Sequence, residues 1–261
     1  DRLAQHSSGL RVQTEAVDSL HRSSSRLRLR SYGACNTLLV VLSLGKETCM
    51  EKSECGREHL PVISRTDILC ILDRSGSMEE RGTVDEAIKG LNNFLRKQKK
   101  VPEEAHVSIL LFDDVVERLW DRKPIDSVRD VLRSEWVPRG LTALYDAVGD
   151  GLVRLLSRSV ELPERERPNR TMVVIVSDGM DNASRRYRAE DVRHLVEKGR
   201  ALSWRFLFLC SDLGGLAQAA KMGLRCDEVV SYQDSLEMGR RAFQRVEDET
   251  RRYRLTGETE R

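Results

Sequence analysis

Three short stretches carry the residues whose types and spacing could do chemistry. In the first, Asp73-Arg74-Ser75-Gly76-Ser77, one carboxylate and two hydroxyls alternate directly after an apolar run, Ile68 to Leu72. The run reads as a buried strand, and Gly76 lets the backbone turn tightly between the serines. A carboxylate and hydroxyls converging at a strand's carboxyl end make a small, hard, oxygen-only pocket. Such a pocket suits Mg²⁺ or Mn²⁺ rather than zinc or copper, which favour imidazole and thiolate. In the second stretch, Gly140 to Ala147, Thr142 stands just ahead of a helix with Leu144, Val148, Leu152 and Leu155 on one side. The third is another buried strand, Met172 to Val176, closing on Ser177-Asp178-Gly179. Singly these are ordinary: Ser-Gly-Ser is turn chemistry, a loop threonine is a helix cap, and a strand-end Asp is a turn residue. Their order and spacing together are less ordinary.

Asp73-x-Ser75-x-Ser77, then Thr142 before a helix, then Asp178-Gly179 after a buried strand, resembles the von Willebrand factor A domain and its metal-ion-dependent adhesion site (MIDAS). All five residues of that pattern are present without substitution. The flanking text is similar too: Leu111-Phe112-Asp113-Asp114, Arg139-Gly140-Leu141-Thr142-Ala143-Leu144, and Ser177-Asp178-Gly179-Met180-Asp181-Asn182-Ala183-Ser184. It is closer to the compact, stand-alone A-type domains of bacteria and phages than to adhesion-receptor versions, and the resemblance covers roughly residues 65 to 250. It implies that Ser75 and Ser77 bind Mg²⁺ or Mn²⁺ directly, that Thr142 binds in one state, and that Asp73 and Asp178 act directly or through water. One position is then left for water or for an Asp or Glu of another protein, drawn by a cation that its direct ligands neutralise incompletely.

The elements that must position these residues follow a βα alternation, which specifies a mostly parallel sheet. Strands are expected at Asp67–Asp73, His106–Phe112, Thr171–Ser177, Trp204–Cys210 and Glu228–Ser231, with Val115–Trp120 as an antiparallel edge partner joined through Asp113-Asp114. Helices are expected at about Val84–Lys99, Ile125–Leu132, Leu144–Ser157, Ala189–Ala201, Leu216–Met222 and Ser235–Tyr253. The fold class is α/β: a Rossmann-like, doubly wound, mostly parallel six-stranded sheet with one antiparallel edge strand and helices on both faces. Such sheets bind ligands beyond the carboxyl ends of their strands at the switch point. Asp178, at a strand end, is expected to face solvent. The domain reading is an extension over 1–63 that is poorly structured and dispensable for folding, an A-type domain over 64–254, and a tail over 255–261.

Composition narrows the function classes. The 261 residues carry 44 basic and 42 acidic side chains, a net charge of +2 that marks no dedicated nucleic-acid protein. Aromatics at 5% argue against base-stacking platforms. Basic clusters at Arg26–Arg30 and Arg251–Arg254 read as solvated faces. Of six cysteines, Cys70 and Cys210 lie inside apolar strands, and no Cys-x-x-Cys pair exists. Cys49 and Cys55 could close a small loop in an oxidising compartment; a reducing cytosol is the simpler reading. No apolar stretch is long enough to span a bilayer. The Arg- and Ser-rich His21–Arg30 ahead of the apolar Leu38–Leu44 has some features of a targeting sequence, but a short strand-like run in an extension is the plainer account. Asp1 in place of a methionine suggests a missing start or a processed N-terminus.

An enzyme is the weaker expectation. No phosphate-cradling Gly-x-x-x-x-Gly-Lys loop, Asp-x-Asp pair or Gly-x-Ser-x-Gly elbow is present, and neither His106 nor His194 sits beside a motif residue. The reading is therefore a monomeric metal-dependent protein-binding module that engages neither nucleic acid nor membrane. The alternatives are an accessory subunit of a chelatase-like AAA+ ATPase complex and, further behind, a magnesium-dependent phosphoryl-transfer enzyme.

Overall fold

β1 (Arg65–Asp73) is buried along almost its whole length. Ile68, Cys70 and Leu72 face one helical layer, and Leu69 and Ile71 face the other. A strand covered on both sides has to be apolar at successive positions, which is why this run shows no alternation. The computed structural model describes residues 64–80, 83–211, 213–231 and 236–258. The readings made for residues 1–63, including the extension, the targeting features, the Arg26–Arg30 cluster and the Cys49–Cys55 pair, lie outside them.

β2 (Glu104–Phe112) and β4 (Arg170–Val176) flank β1 in parallel, with Asp73 opposite Phe112 and Leu72 opposite Val176. β5 (Arg205–Cys210) and β6 (Val229–Ser231) continue the sheet beyond β4, also in parallel. β3 (Val116–Pro124) pairs antiparallel with β2 at the opposite edge. The order is therefore β3-β2-β1-β4-β5-β6, a doubly wound sheet of six strands with one antiparallel edge.

The helices supply the two layers. α1 (Ser77–Glu80) is a single turn, and α2 (Thr83–Gln98) buries Val84, Ile88, Leu91 and Leu95 as its apolar spacing requires. α6 (Leu236–Thr256) joins α2 on that face through Phe243 and Val246. α3 (Leu144–Glu161), α4 (Ala189–Ala201) and α5 (Leu213–Lys221) cover the other face.

Two expectations are corrected. Ile125–Leu132 is not a helix: it holds one 3₁₀ turn, Ile125–Ser127, followed by irregular chain. Ile125, Val128 and Val131 are all buried, so their spacing of three imitated a helical face. Side chains of α2 take over the backbone hydrogen bonding there. Asn92 accepts from the Val131 N–H at 2.8 Å and donates to the Val131 carbonyl at 3.0 Å. The Arg251–Arg254 cluster is a solvated face only in part: Arg251 is exposed, whereas Arg254 turns inward. Arg254 is 0% exposed and donates to the Gln98 carbonyl at 2.6 Å and Gln98 Oε1 at 3.1 Å. Burial pulls its pKa down to about 10. Removing this guanidinium strands the carbonyls it satisfies, so Arg254→Ala should cost about 2–4 kcal/mol. Urea unfolding with an unchanged m-value is the check.

Candidate metal site

The chain leaves β1 toward β2 on one side and β4 on the other, and at that reversal the strand ends open a crevice. Asp73 is the last residue of β1, and Asp178 lies two residues past β4. Around them the hydroxyl groups converge. The Ser75 N–H donates to Asp73 Oδ1 at 2.7 Å, and the Ser177 hydroxyl donates to Asp73 Oδ2 at 2.6 Å. Ser77 Oγ lies 3.1 Å from Ser75 Oγ and donates to Asp178 Oδ1 at 2.7 Å. Gly179 allows close approach: a Cβ there would stand 3.6 Å from Thr142 Oγ1 and 3.9 Å from Ser77 Oγ. The five residues singled out in the sequence thus gather from three loops around one spot.

Two sets of hydrogen bonds hold the Thr142 loop in place. On one side Asp113 is a hub, accepting at Oδ2 from Arg74 Nε (2.9 Å) and Arg139 Nε (2.8 Å), while its carbonyl takes the Ala143 N–H at 2.7 Å. Glu117 bridges the same two arginines at 2.8 and 2.7 Å, and the Arg74 hydrogen bond holds its carboxyl down to about 2. On the other side the Asn182 and Ala183 N–H groups donate to the Thr142 carbonyl at 2.9 and 3.1 Å, and Asn182 Oδ1 accepts from the Thr142 N–H at 2.8 Å. Asp146, in the first turn of α3, accepts from the N–H groups of Arg185, Arg186 and Tyr187 at 2.9–3.0 Å. Trp136, fully buried, donates from Nε1 to the Asp73 carbonyl at 2.9 Å.

The electrostatics favour a cation. Asp73 and Asp178 are both 0% exposed. Burial pushes the Asp73 carboxyl up to about 6, and repulsion from Asp178 adds to the rise against the hydrogen bonds from Ser177 and Ser75. Arg74, though adjacent in sequence, spends its charge on Asp113 and Glu117. Among the described residues no group of three or more His, Cys, Asp or Glu gathers into a metal-holding cluster. The donors here are two carboxylates supplemented by hydroxyls, a hard oxygen set that fits magnesium or manganese.

The burial of Asp178 corrects the expectation that it faces solvent. Asp113, Ser177, Asn182 and Asp146 were not singled out by sequence reasoning. The first three lay inside the flanking text similar to A-type domains, and that similarity was their one signal.

No sequence-family model and no curated protein matches the chain. Solved structures do. Proximal thread matrix protein 1 from the mussel byssus, in a structure with a zinc-occupied MIDAS motif, is 16% identical with a TM-score of 0.51 over 73% of this chain and 46% of that one. The pilus adhesin SpaC from Lactobacillus rhamnosus GG, in its open conformation, is 12% identical with a TM-score of 0.53 over 73% and 30%. The vWF domain of the type V pili tip protein Mfa5 from Porphyromonas gingivalis is 11% identical with a TM-score of 0.52 over 76% and 99%. The chain has the von Willebrand factor A fold. It spans less than half of the mussel and Lactobacillus chains, and identities this low speak for the fold alone.

Proposed function

We propose that this chain is a metal-dependent protein-interaction module. It holds one Mg²⁺ or Mn²⁺ through Ser75 and Ser77 directly, with Thr142, Asp73 and Asp178 completing the shell directly or through water. When bound, the cation supplies an open, oxygen-seeking position for an Asp or Glu carboxylate of another protein. The observation that carries this reading is the convergence of Ser75, Ser77, Asp178 and Asp73 through contacts of 2.7–3.1 Å at buried strand ends. The mussel protein's zinc-occupied MIDAS, on the same fold, supports a divalent ion here.

The chain's own residues do the positioning. Ser77 is held by Asp178, Thr142 by Asn182 on one side and the Asp113 hub on the other, so the donors need little rearrangement to receive an ion. In this reading Ser77 and Asp178, hydrogen-bonded at 2.7 Å, serve as ligands rather than as a nucleophile and its base. His106 sits at the other end of the sheet, with Nδ1 4.0 Å from Asp67. Among the described residues no helix is long and apolar enough to cross a membrane. Among the described residues Cys70 is a buried free thiol and Cys226 an exposed one, which suits a reducing compartment such as the cytosol.

Titration calorimetry with Mg²⁺ and Mn²⁺ tests the proposal. One weak site per chain is expected, abolished in Asp178→Ala. An unchanged binding heat in that variant would overturn the site, and tight stoichiometric zinc uptake in preference to magnesium would overturn the choice of cation.

A further inference from the structure

We infer that the rim of this seat docks an extended segment of another protein in which one Asp or Glu is accompanied, two residues away on either side, by large apolar side chains. The inference rests on the metal-dependent reading above and adds a side-chain preference to it.

The described residues include nine exposed large apolar side chains, and five of them lie around the carboxyl-end loops: Val115, Val137, Leu141, Met180 and Leu213. Scattered exposed apolar residues are ordinary, but a cluster on one rim marks a surface of interaction. Leu141, 55% exposed, directly precedes Thr142, and Met180, 57% exposed, directly follows Gly179. Their loops are clasped together at the Thr142 carbonyl by the Asn182 and Ala183 N–H groups. Leu141 and Met180 therefore flank the seat in sequence and lie on two loops that are tied together beside it. Leu213, 77% exposed, opens α5 just past the end of β5, the strand next to β4.

The seat between them is recessed: Asp73 and Asp178 are 0% exposed, Ser75 2% and Thr142 4%. A carboxylate reaching it brings its own backbone down onto the rim. In an extended segment the residues at i−2 and i+2 share the face of residue i, while its immediate neighbours point away. Those two positions are the ones that meet Leu141 and Met180. Apolar contact there excludes water from the buried charge pair, as energetically neutral rim contacts do around interface hot spots. Charge favours the same partner. Arg185, exposed on the loop that carries Met180, has its backbone fixed by Asp146 at 3.0 Å and its guanidinium in no ion pair among the described residues. A divalent ion in the seat would offset the two carboxylates of Asp73 and Asp178, and Arg185 would then add a cation on a rim that also carries apolar surface.

The test uses the full chain and three fluorophore-labelled, end-blocked peptides: Leu-Gly-Glu-Gly-Leu, Gly-Gly-Glu-Gly-Gly and Leu-Gly-Gln-Gly-Leu. Anisotropy is read in Mn²⁺ and in EDTA, for the unaltered chain and for the Leu141→Ser, Met180→Ser double variant. The first peptide should bind in Mn²⁺ and be released by EDTA, with roughly tenfold higher affinity than the second, about 1.4 kcal/mol. The Gln peptide should not bind. The double variant should erase the tenfold difference while leaving the melting temperature and the calorimetric Mn²⁺ titration unchanged. Equal affinity for the two Glu peptides, no peptide binding by a chain that takes up Mn²⁺, or full discrimination by the double variant would each overturn the docking surface and leave the metal site standing. Absence of Mn²⁺ uptake would overturn the metal reading, and peptide binding that survives EDTA would overturn the inference built on it.

Discussion

Asp73→Asn is expected to stabilise the metal-free protein while abolishing its response to metal. The carboxyl of Asp73 is fully buried and titrates near 6, pushed up first by burial. A rise of about two pKa units above the ordinary value corresponds to about 3 kcal/mol of cost for the ionised form at neutral pH. An asparagine retains an acceptor for the Ser75 N–H, and the Ser177 hydroxyl can rotate to accept from the new amide. Part of the gain is lost to less favourable hydrogen bonds, leaving roughly 2 kcal/mol, or about 5 °C in Tm for a domain of this size. The pH dependence has a definite sign. The native chain takes up a proton on Asp73 as pH falls from about 6, whereas the unfolded chain does so only near 3.8. Through this group the metal-free protein therefore gains stability as pH falls across that window, and the cost is fully present above pH 6. Melting curves in EDTA at pH 5 and pH 8, with and without the substitution, measure this. Saturating Mg²⁺ should then raise the Tm of the unaltered chain by mass action and leave Asp73→Asn unmoved. A variant that melts lower than the parent in EDTA at pH 8 would show that the hydrogen bonds to Asp73 outweigh the cost of its buried charge.

The second large effect is expected at a residue outside the five-residue motif. Asp113→Ala removes the acceptor shared by Arg74 and Arg139, and Arg74 is itself buried. Breaking a buried pair by deleting one partner leaves an uncompensated charge, a loss of about 3–5 kcal/mol. Glu117 keeps its hold on both arginines, so the lower end of that range is expected. The same substitution frees the loop that carries Thr142, because Arg139 and its neighbours are tied to the Ser75–Ser77 loop. The Arg139 N–H donates to the Arg74 carbonyl at 2.8 Å, and the Gly76 N–H to the Gly140 carbonyl at 3.3 Å. Chemical denaturation should show the stability loss, and calorimetry under folding conditions should show weakened Mg²⁺ binding with the stoichiometry unchanged. Asp113→Asn, which keeps an acceptor at the hub, should recover most of the affinity. Metal affinity indifferent to both changes would show that the hub serves stability alone.

What could be read in the sequence and what could not divide along physical lines. The convergence of the candidate site residues was legible because each sits close after a long apolar run or just ahead of a helix, and such positions are fixed by local pattern. α4 was legible to its exact ends, with Glu190 and Asp191 in its first turn and Lys198 and Arg200 in its last matching the helix dipole. The hub was not, because Arg74, Asp113, Glu117 and Arg139 come from three separate segments and Asp113-Asp114 has the look of a hairpin turn. Arg254 misled for a related reason: an arginine near a helix end normally reaches water, and only the packing of α6 against α2 sends it inward. Asp178 misled because strand ends are usually open, whereas here loops from β1 and α3 close over it. In each case the deciding contacts join residues distant in the chain, and no local period encodes them.

The two borders of the sheet limit how anything else can attach to it. β6 has three residues, too few to template another strand. β3 is longer, but its pairing with β2 slips twice, Arg122 takes a left-handed backbone with φ of 49°, and the strand ends on Pro124. Glu117, Arg118, Asp121 and Lys123 add charge along its exposed border. Bulges, charges, proline and shortness are the devices that stop sheets from growing edge to edge. Strand addition, a common way for proteins to capture extended peptides, is thereby discouraged on both flanks. Under the proposed function a visiting segment is left to approach the carboxyl-end rim, where its side chains rather than its backbone would be recognised. Such a surface is selective by chemistry, and it protects the chain against aggregation through its own open hydrogen-bonding borders.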